Sequence, residues 1–319
     1  MRNPVGRRHR RVRLAQRGVA ILTALLVVTL AALIVSGLFW REHVAVRSVE
    51  NRLALAQGRW IERAAVDWAR VILAEDARTT GGVDHLGEPW AVPVMDTRLD
   101  ETVTAGAKIE EGGRSALLAG RMVDAQARLN LTGLGPQGQP GTAERAAALR
   151  RLIVLLGFRE DAAERIILRV QQATPRFQGG RKIEDERPPL VNPADLFDIP
   201  GLDPALVGAL LPHVVVLPEA TKVNLNTAGP EVIAAVIEDA GLSGAGTLIR
   251  AREQEAFKSL ENVKKQLSEA VLVDQQTVDV QSSYFLVTGV IRFQGMESQT
   301  ETLLKRSGER VEVVWQRRF

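Results

Sequence analysis

Residues 133–138 have the residue types and spacing of a phosphate-binding turn. Their glycines follow the pattern G-x-G-x-x-G, which in dinucleotide-binding folds opens a helix whose backbone amides bind a pyrophosphate. Pro136, Pro140 and Gly141 lie in or just after this stretch. A helix cannot begin at the required place, because proline lacks the amide hydrogen and clashes with the preceding turn. We therefore interpret residues 133–138 as a loop at a domain boundary.

Other patterns that carry catalysis are missing from the sequence. It contains no H-E-x-x-H, G-x-S-x-G or G-x-x-x-x-G-K run. It also contains no cysteine, which excludes a disulfide scaffold, a thiolate metal site and a cysteine nucleophile. The four histidines are scattered along the chain. We therefore predict that the protein is not an enzyme.

The basic residues are concentrated at the N-terminus. The first seventeen residues contain seven arginines and no acid, whereas the whole chain of 319 residues has a net charge of only +3. The remainder therefore carries a net charge of −4. An apolar content of 45% and a charged content of 25% are typical of a folded globular chain and argue against disorder.

An uncharged apolar segment, residues 19–40, follows the basic leader. As an α-helix it would reach roughly 33 Å, which matches the hydrocarbon core of a bilayer, about 30 Å thick. Basic residues on the leader side predict that the leader stays in the cytoplasm and that residues 41–319 cross the membrane. The segment is longer than the apolar part of a secretory signal and lacks a small-residue cleavage site, so we predict that the helix is retained.

An amphipathic pattern continues beyond the apolar segment. Apolar residues recur at spacings of three and four, at Val49, Leu53, Ala56, Trp60, Ala64, Trp68 and Ile72. This spacing predicts one helix over residues 19–73, and Gly81-Gly82 interrupts the pattern. The stripe is rich in alanine and tryptophan rather than in leucine or isoleucine at heptad spacing. We therefore expect it to pack against a sheet rather than in a coiled-coil stalk.

Strand patterns occur in two parts of the chain that are far apart in sequence. Residues 116–131 predict two short strands, and residues 90–94 predict another. Apolar alternation after residue 280 predicts an antiparallel meander with turns near Gly295 and Gly308. Together these patterns predict an α+β fold, in which a sheet begun before residue 131 is completed after residue 280.

The intervening residues 132–276 are mostly helical by their patterns. Thr142 is a predicted N-cap, and residues 241–246 predict a loop between two helices. With the preceding V-N-x-N-T-A run at residues 223–228, this segment resembles helix-hairpin-helix modules, which bind DNA phosphates through backbone amides. Residues 219–270 carry a net charge of −2, which argues against phosphate binding. A membrane-anchored DNA-binding protein of a DNA-uptake system remains the alternative hypothesis.

The junction Arg17-Gly18-Val19 resembles the processing site of type IV prepilins and type II secretion pseudopilins. In those families a prepilin peptidase cuts after this glycine, and the new N-terminus is methylated. The fifth mature residue is usually glutamate, but here it is Thr23. This departure, with residues 223–228 and the helical segment, makes the chain resemble the K-type minor pseudopilins (general secretion pathway protein K), which lack that glutamate.

The resemblance implies a pilin-like fold with one insertion. A long N-terminal helix would lie on an antiparallel sheet, with a large all-α insertion of helix-hairpin-helix or SAM-like form between strands. The predicted divisions are a basic prepilin leader (1–18), the transmembrane half of the helix (19–40), the first pilin-like part (41–131), the inserted helical domain (132–276) and the C-terminal strands (277–319).

The resemblance also implies a function and partners. The chain would be a single-pass protein of the bacterial inner membrane, with its N-terminus cytoplasmic and its C-terminal domain periplasmic. It would initiate and cap the pseudopilus tip for export of folded proteins across the outer membrane. The implied partners are the I-, J- and H-type minor pseudopilins, the prepilin peptidase and the inner-membrane secretion platform, with no nucleic acid.

Calcium in the helical insert is a further implication of the resemblance. Calcium takes six to eight oxygen ligands, usually with several carboxylates among them. Acids that lie close together in the insert are Glu184, Asp185, Glu186, Asp195, Asp198 and Asp203. Their spacing matches no EF-hand loop, so these residues are candidates without a defined ligand set.

Overall fold

The computed structural model describes eight stretches of the chain. They are residues 15–99, 116–135, 139–173, 176–178, 181–183, 187–269, 271–293 and 296–319. The chain divides into two units, Met1–Arg59 and Trp60–Phe319.

The first helix, α1, spans Ala15–Thr80 and contributes residues to both units. It is longer at both ends than the predicted helix over residues 19–73, and it stops directly before Gly81-Gly82, where the sequence pattern is interrupted. Gly81 and Gly82 both adopt positive φ angles, +69° and +89°, which only glycine tolerates without steric cost. In the first unit, the side chains of residues 19–40 are exposed, and the helix is long and apolar enough to cross a membrane.

The remaining secondary structure lies in the second unit. Its α-helices are α2 (Thr142–Leu155), α3 (Ala162–Gln172), α4 (Pro204–Leu210), α5 (Pro230–Val236), α6 (Gly241–Gln254) and α7 (Leu260–Lys264). Its strands are β1 (Val94–Leu99), β2 (Ala116–Asp124), β3 (Leu129–Asn130), β4 (Arg176–Gln178), β5 (Arg181–Ile183), β6 (Val214–Val215), β7 (Val223–Asn224), β8 (Val278–Asp279), β9 (Tyr284–Phe293), β10 (Met296–Ser307) and β11 (Arg310–Arg318). Short 3-10 helices occur at Pro89–Ala91, Ala125–Ala127, Leu131–Leu134 and Pro193–Asp198.

The main sheet is antiparallel, with the strand order β1-β2-β9-β10-β11. The neighbouring strands β2 and β9 pair with Asp124 opposite Phe285. The chain therefore leaves the sheet after β2, builds the helical segment, and returns to pair with the strand that it left. This arrangement confirms the α+β fold and the predicted meander of the last three strands.

The helical segment has a core of its own. Residues from several of its helices are fully buried together, including Leu149, Ile166, Leu206, Ile233 and Leu248. Two short parallel ladders join distant parts of the chain: β3 pairs with β6, and β7 pairs with β8. The β7–β8 ladder brings the start of the V-N-x-N-T-A run beside the residues that lead into β9.

The two tryptophans of the helical stripe that the sequence predicted to face the sheet do not pack on it. Trp60 and Trp68 are 67% and 65% exposed. A different row of α1 packs on the sheet, also at spacings of four and three: Glu62, Val66, Ala69, Leu73 and Asp76. The predicted packing face was therefore wrong.

An acid at each end of the buried row explains the error. Glu62 accepts hydrogen bonds from Arg318 Nε and Ser298 Oγ, both at 2.7 Å, and Asp76 accepts one from Arg306 Nη1 at 2.8 Å. Hydrophobic periodicity counts only apolar residues. A row with an acid at each end therefore gives a weaker periodic signal than a row with two tryptophans. Strands more than two hundred residues away supply the charges that make this row buriable.

Three local predictions also need correction. Trp90 lies in a 3-10 turn rather than in a strand, and β1 begins after it. The N-cap of α2 is Gly141, with a φ of +78°, and not Thr142. Residues 241–246 open helix α6 instead of forming a loop, because the preceding turn is made by residues 237–240.

Candidate functional site

The polar residues of the V-N-x-N-T-A run are buried at the joint between the sheet and the helical segment. The Asn224 side-chain amide donates to Asp124 Oδ2 at 3.0 Å and to the Asp84 carbonyl at 3.1 Å. One side chain of the helical segment is therefore bonded to the end of β2 and to the loop after α1. These contacts are structural. Within the described residues they occupy the hydrogens of this amide, which therefore has none left for an external ligand.

Asp124 is the centre of this joint. Its carboxylate accepts from Gln126 N at 2.7 Å, from Thr227 Oγ1 at 2.6 Å and from Ser282 Oγ at 2.6 Å, in addition to Asn224. Burial raises the pKa of Asp124, and these hydrogen bonds act in the opposite direction. Donors from three separated parts of the chain therefore converge on one carboxylate.

Asn226 forms the second half of the joint. Its side chain accepts from Phe257 N at 2.9 Å and donates to Phe257 O at 3.0 Å, which holds the segment between α6 and α7 as a neighbouring strand would. Arg252 Nη1 donates to the carbonyls of Leu225 and Ala228 at 2.6 and 2.8 Å. The polar side chains of the run are thus bonded to other parts of the protein.

Gly133 of the G-x-G stretch and Gly141 just after it have a similar structural role. A Cβ atom at Gly133 would lie 2.5 Å from Arg145 Cδ, and one at Gly141 would lie 2.9 Å from Arg145 Nη1. The Arg145 guanidinium crosses this space to reach the carbonyls of Pro140 and Gln276 at 3.1 and 2.9 Å. Glycine is needed here for the arginine to pass, and residues 136–138 lie outside the described residues.

A second buried polar cluster adjoins the joint. Asp76 at the end of α1, and Asp84 and Glu88 in the following loop, are all at most 5% exposed. Arg306 of β10 donates through Nη1 to Asp76 Oδ2 at 2.8 Å and through Nη2 to Asp84 Oδ1 at 2.5 Å. We call Asp76, Asp84 and Glu88 the acidic cluster.

Glu88 is held by two donors of its own. Its Oε2 accepts from Trp90 Nε1 at 2.6 Å and from His85 N at 2.9 Å. The Trp90 ring packs edge-on against Phe285, with ring centroids 5.2 Å apart. An aromatic contact in the sheet core therefore fixes the position of this carboxylate.

Burial makes ionisation of the acidic cluster costly. It raises the pKa of Asp76 to about 6, with the neighbouring Glu88 adding to the effect, and it raises the pKa of Asp84 to about 7 against the opposing influence of Arg306. A folded-state pKa above the unfolded value favours the fold at low pH. These two groups therefore stabilise the fold below about pH 4, and their contribution is lost as the pH rises through 6 to 7.

Comparisons with known proteins place the chain in a family. The family model described as "Type II secretion system (T2SS), protein K" matches residues 223–281, the segment that runs from β7 through Asn224, Asn226 and Thr227 to the residues before β9. The type II secretion system protein K of Pseudomonas aeruginosa is 32% identical over 278 residues, which cover 81% of this chain and 79% of that protein. The chain belongs to the type II secretion system protein K family.

Other relatives agree with this assignment. The type II secretion system protein K of Pectobacterium carotovorum is 26% identical over 331 residues, covering 95% of this chain and 96% of the relative. A crystal structure of the GspK-GspI-GspJ complex from enterotoxigenic Escherichia coli matches with a TM-score of 0.63 at 21% identity, covering 85% of this chain and 99% of that chain. The structural match confirms the fold. None of these comparisons supports the DNA-uptake alternative.

The predicted processing site lies on α1. Gly18 and Val19 both fall within the helix, and the leader up to residue 14 is outside the described residues. Thr23, at the position of the missing glutamate, donates its hydroxyl to the carbonyls of Val19 and Ala20, each at 3.0 Å. This side chain is satisfied within its own helix and needs no partner in an apolar surrounding.

The acids predicted as calcium candidates are only partly described. Residues 184–186 lie outside the described residues. Asp195 Oδ2 accepts from the backbone of Val191 and Asn192 at 2.7 and 3.0 Å, and Asp203 Oδ1 accepts from Ala205 N at 2.8 Å as the N-cap of α4. Two of the candidates therefore use a carboxylate oxygen in capping, and calcium binding in the insert stays a prediction.

Sequence reasoning missed the acidic cluster and Arg306. The three carboxylates lie within thirteen residues of one another, but their cation is 222 and 230 positions away from Asp84 and Asp76. The available signal was Asp76 itself, an acid in helical phase with the apolar residues Val66, Ala69 and Leu73. Such a residue is predicted on a solvent face unless its partner is known.

Proposed function

We propose that the chain is a minor pseudopilin that initiates and caps the tip of a type II secretion pseudopilus. It is anchored in the inner membrane by residues 19–40, with its N-terminus cytoplasmic and residues 41–319 periplasmic. A prepilin peptidase removes residues 1–18, and the mature helix then assembles with I-, J- and H-type minor pseudopilins on the secretion platform. The protein acts by assembly and carries out no catalysis.

The self-satisfied hydroxyl of Thr23 is the observation that carries a terminal position. In the related families a glutamate here offers a carboxylate to the α-amino group of a neighbouring subunit within an apolar environment. Thr23 has no charge, and its hydroxyl is already bonded to Val19 O and Ala20 O. This chain lacks the carboxylate of that pairing, so it cannot pair with the α-amino group of a second neighbour. A subunit at the end of a filament has a neighbour on one side only and does not need this pairing.

The position of the helical segment supports the same conclusion. It is inserted between the neighbouring strands β2 and β9 and has a hydrophobic core of its own. A domain of this size beside the sheet would collide with subunits stacked above it in a helical filament. The end subunit has no subunit above it, so the tip accommodates the insert.

An exposed row on α1 supports assembly through the helix. Trp60, Ala64, Trp68 and Val71 are exposed on the side that turns away from the sheet. Tryptophans are enriched at the energetic centres of protein interfaces, and a contiguous exposed apolar row marks an interaction surface. This row suits the helix of a second pseudopilin.

Replacing Gly18 with leucine tests the membrane and processing part of the proposal. In a bacterium that supplies prepilin peptidase, we expect the wild-type chain to begin at Val19 and the Gly18→Leu chain to keep its leader. The uncleaved chain should also fail to restore exoprotein release to a strain that lacks its own protein K. N-terminal sequencing and assay of the culture medium measure the two effects.

Gly37 provides the matched control for this experiment. It lies in the same apolar helix, and a Cβ atom there meets nothing within 4 Å, so Gly37→Leu should be processed and secretion-competent. A wild-type chain that begins at any residue other than Val19, or a processed Gly18→Leu chain, contradicts the proposal.

A single cysteine at position 64 tests assembly through the exposed row. The natural chain has no cysteine, so Ala64→Cys can be labelled with a thiol-directed photo-cross-linker at one site. We expect an adduct with another minor pseudopilin when the variant is co-expressed with the I-, J- and H-type subunits. Glu309→Cys, in the exposed turn between β10 and β11, is the control, and cross-linking there but not at position 64 contradicts the proposed interface.

A further inference from the structure

We propose that Asp76, Asp84 and Glu88 bind a hard divalent cation of the calcium type, at a site separate from the helical insert. The site lies where the C-terminal end of α1 meets the following loop and strand β10. Its occupation would tie these three elements together beneath the sheet.

The balance of buried charge is the first argument. Asp76, Asp84, Glu88 and the nearby Asp124 are all buried, and Arg306 is the one lysine or arginine bonded to any of them within the described residues. A buried carboxylate without compensating charge is strongly unfavourable. A divalent cation would bring the three acids of the cluster and Arg306 to neutrality.

The positions of the carboxylate oxygens are the second argument. Asp76, Asp84 and Glu88 each offer one oxygen, and these atoms lie within 4.8 Å of one another. Calcium–oxygen bonds are about 2.4 Å long, so two oxygens on opposite sides of one ion are about 4.8 Å apart. The geometry is therefore compatible with a common metal ion.

Two oxygens without donors are the third argument. Asp76 Oδ1 and Glu88 Oε1 are completely buried and receive no hydrogen bond from any residue that the structure describes. The second oxygen of each group is engaged, by Arg306 on Asp76 and by Trp90 and His85 on Glu88. The side chains are thus held in place while one oxygen of each lacks the partner that buried polar atoms normally have.

The donor set decides the class of metal. It consists of carboxylate oxygens, with no thiolate in the whole chain, and oxygen ligands select calcium, magnesium or manganese over softer ions. The Nε2 atom of His85 lies 3.7 Å from Glu88 Oε1, and this side chain is one-third exposed. It marks the side from which a hydrated ion can enter.

Thermal unfolding of the full chain in detergent tests the site. After removal of metals with a chelator, we expect calcium at about 100 times its Kd to raise the Tm by several degrees. Magnesium and manganese are tested separately. The increase should be lost in Asp76→Asn and in Glu88→Gln. It should be kept in Glu75→Gln, which removes the exposed acid next to Asp76 in the sequence, an acid that pairs with Arg78. It should also be kept in Asp198→Asn, a candidate of the helical insert.

Terbium luminescence excited through tryptophan gives a second readout, which reports the distance between the ion and a tryptophan rather than the Tm. Trp90 donates to Glu88, whereas residues 132–276 contain no tryptophan. We expect sensitised terbium emission from the wild-type chain, displaced by calcium and lost in Trp90→Phe. Emission that persists in Trp90→Phe contradicts the assigned place.

Three other outcomes would overturn the proposal. One is a chelated wild-type chain whose Tm is unchanged by all three metals. Another is a Tm that falls as the pH rises from 5 to 8 and that no metal restores, because a proton shared among the carboxylates would then replace the cation. Retention of the full calcium effect in both Asp76→Asn and Glu88→Gln would place the ion elsewhere.

Discussion

Arg306→Met is expected to lower the free energy of unfolding by about 3–5 kcal/mol, the usual cost of removing one partner from a buried ion pair. The Arg306 side chain is only 5% exposed and bridges Asp76 and Asp84 with separate nitrogens. Methionine fills a similar volume but leaves both carboxylates without a counter-charge. Chemical denaturation of the detergent-solubilised chain, followed by tryptophan fluorescence, measures the change.

Arg310→Met is the control for the loss of an arginine as such. Arg310 pairs with Glu312 on the surface, with a side chain 79% exposed, and exposed pairs contribute at most about 1 kcal/mol. Arg306→Lys should fall between the two variants, because one ammonium group cannot match the two-nitrogen geometry of a guanidinium. If Arg306→Met were as stable as Arg310→Met, the acidic cluster would be neutral in the folded protein.

Asp124→Ala is expected to cost about 2–4 kcal/mol, from the unmet donors that it leaves buried. The carboxylate receives hydrogen bonds from Gln126 N, Asn224 Nδ2, Thr227 Oγ1 and Ser282 Oγ. The hydroxyl groups can rotate towards other acceptors, whereas the backbone amide of Gln126 cannot. The loss should outweigh the relief from burying a charge, because four donors depend on one residue.

Two variants sharpen this experiment. Asp203→Ala removes an N-cap that accepts from Ala205 N, for which a cost of about 1 kcal/mol is typical. Asp124→Asn should not restore stability, because its amide hydrogens would face side chains and a backbone group that all donate. An Asp124→Asn chain as stable as the wild type would show that this carboxyl is protonated in the fold.

Local patterns were sufficient for the elements that depend on neighbouring residues. The uncharged segment over residues 19–40, the helix end at Gly81-Gly82 and the three-strand meander each follow from side-chain types within a few positions. The interrupted sheet was also predictable, since strand patterns before residue 131 and after residue 280 had no closer partners. These features involve short-range geometry, which sequence periodicity reports directly.

The face of α1 that packs on the sheet was not predictable from the same patterns. Two rows of α1 have helical spacing, one with Trp60 and Trp68 and one that ends in Glu62 and Asp76. Apolar periodicity favours the first row, but the sheet covers the second. The choice depends on Arg318 and Arg306, which lie 256 and 230 positions from their acids.

The V-N-x-N-T-A run could likewise be found in the sequence, but its contacts could not be predicted from it. The run was recognisable as a motif, but its role depended on which groups surround it. Asp124 and Phe257 are respectively 100 positions before Asn224 and 31 positions after Asn226. Because the fold brings these residues together, the polar groups of the run become bonded within the protein and join the sheet to the helical segment.

By itself, the amino-acid sequence determined an α+β protein with a long apolar N-terminal helix and a helical insertion, because hydrophobic length and turn residues act over short distances. The tertiary structure decided which helix face is buried, where the acids lie and what neutralises them. The physical reason is that a buried carboxylate is stable only beside donors or cations, and in this chain those partners come from strands and loops far away in sequence.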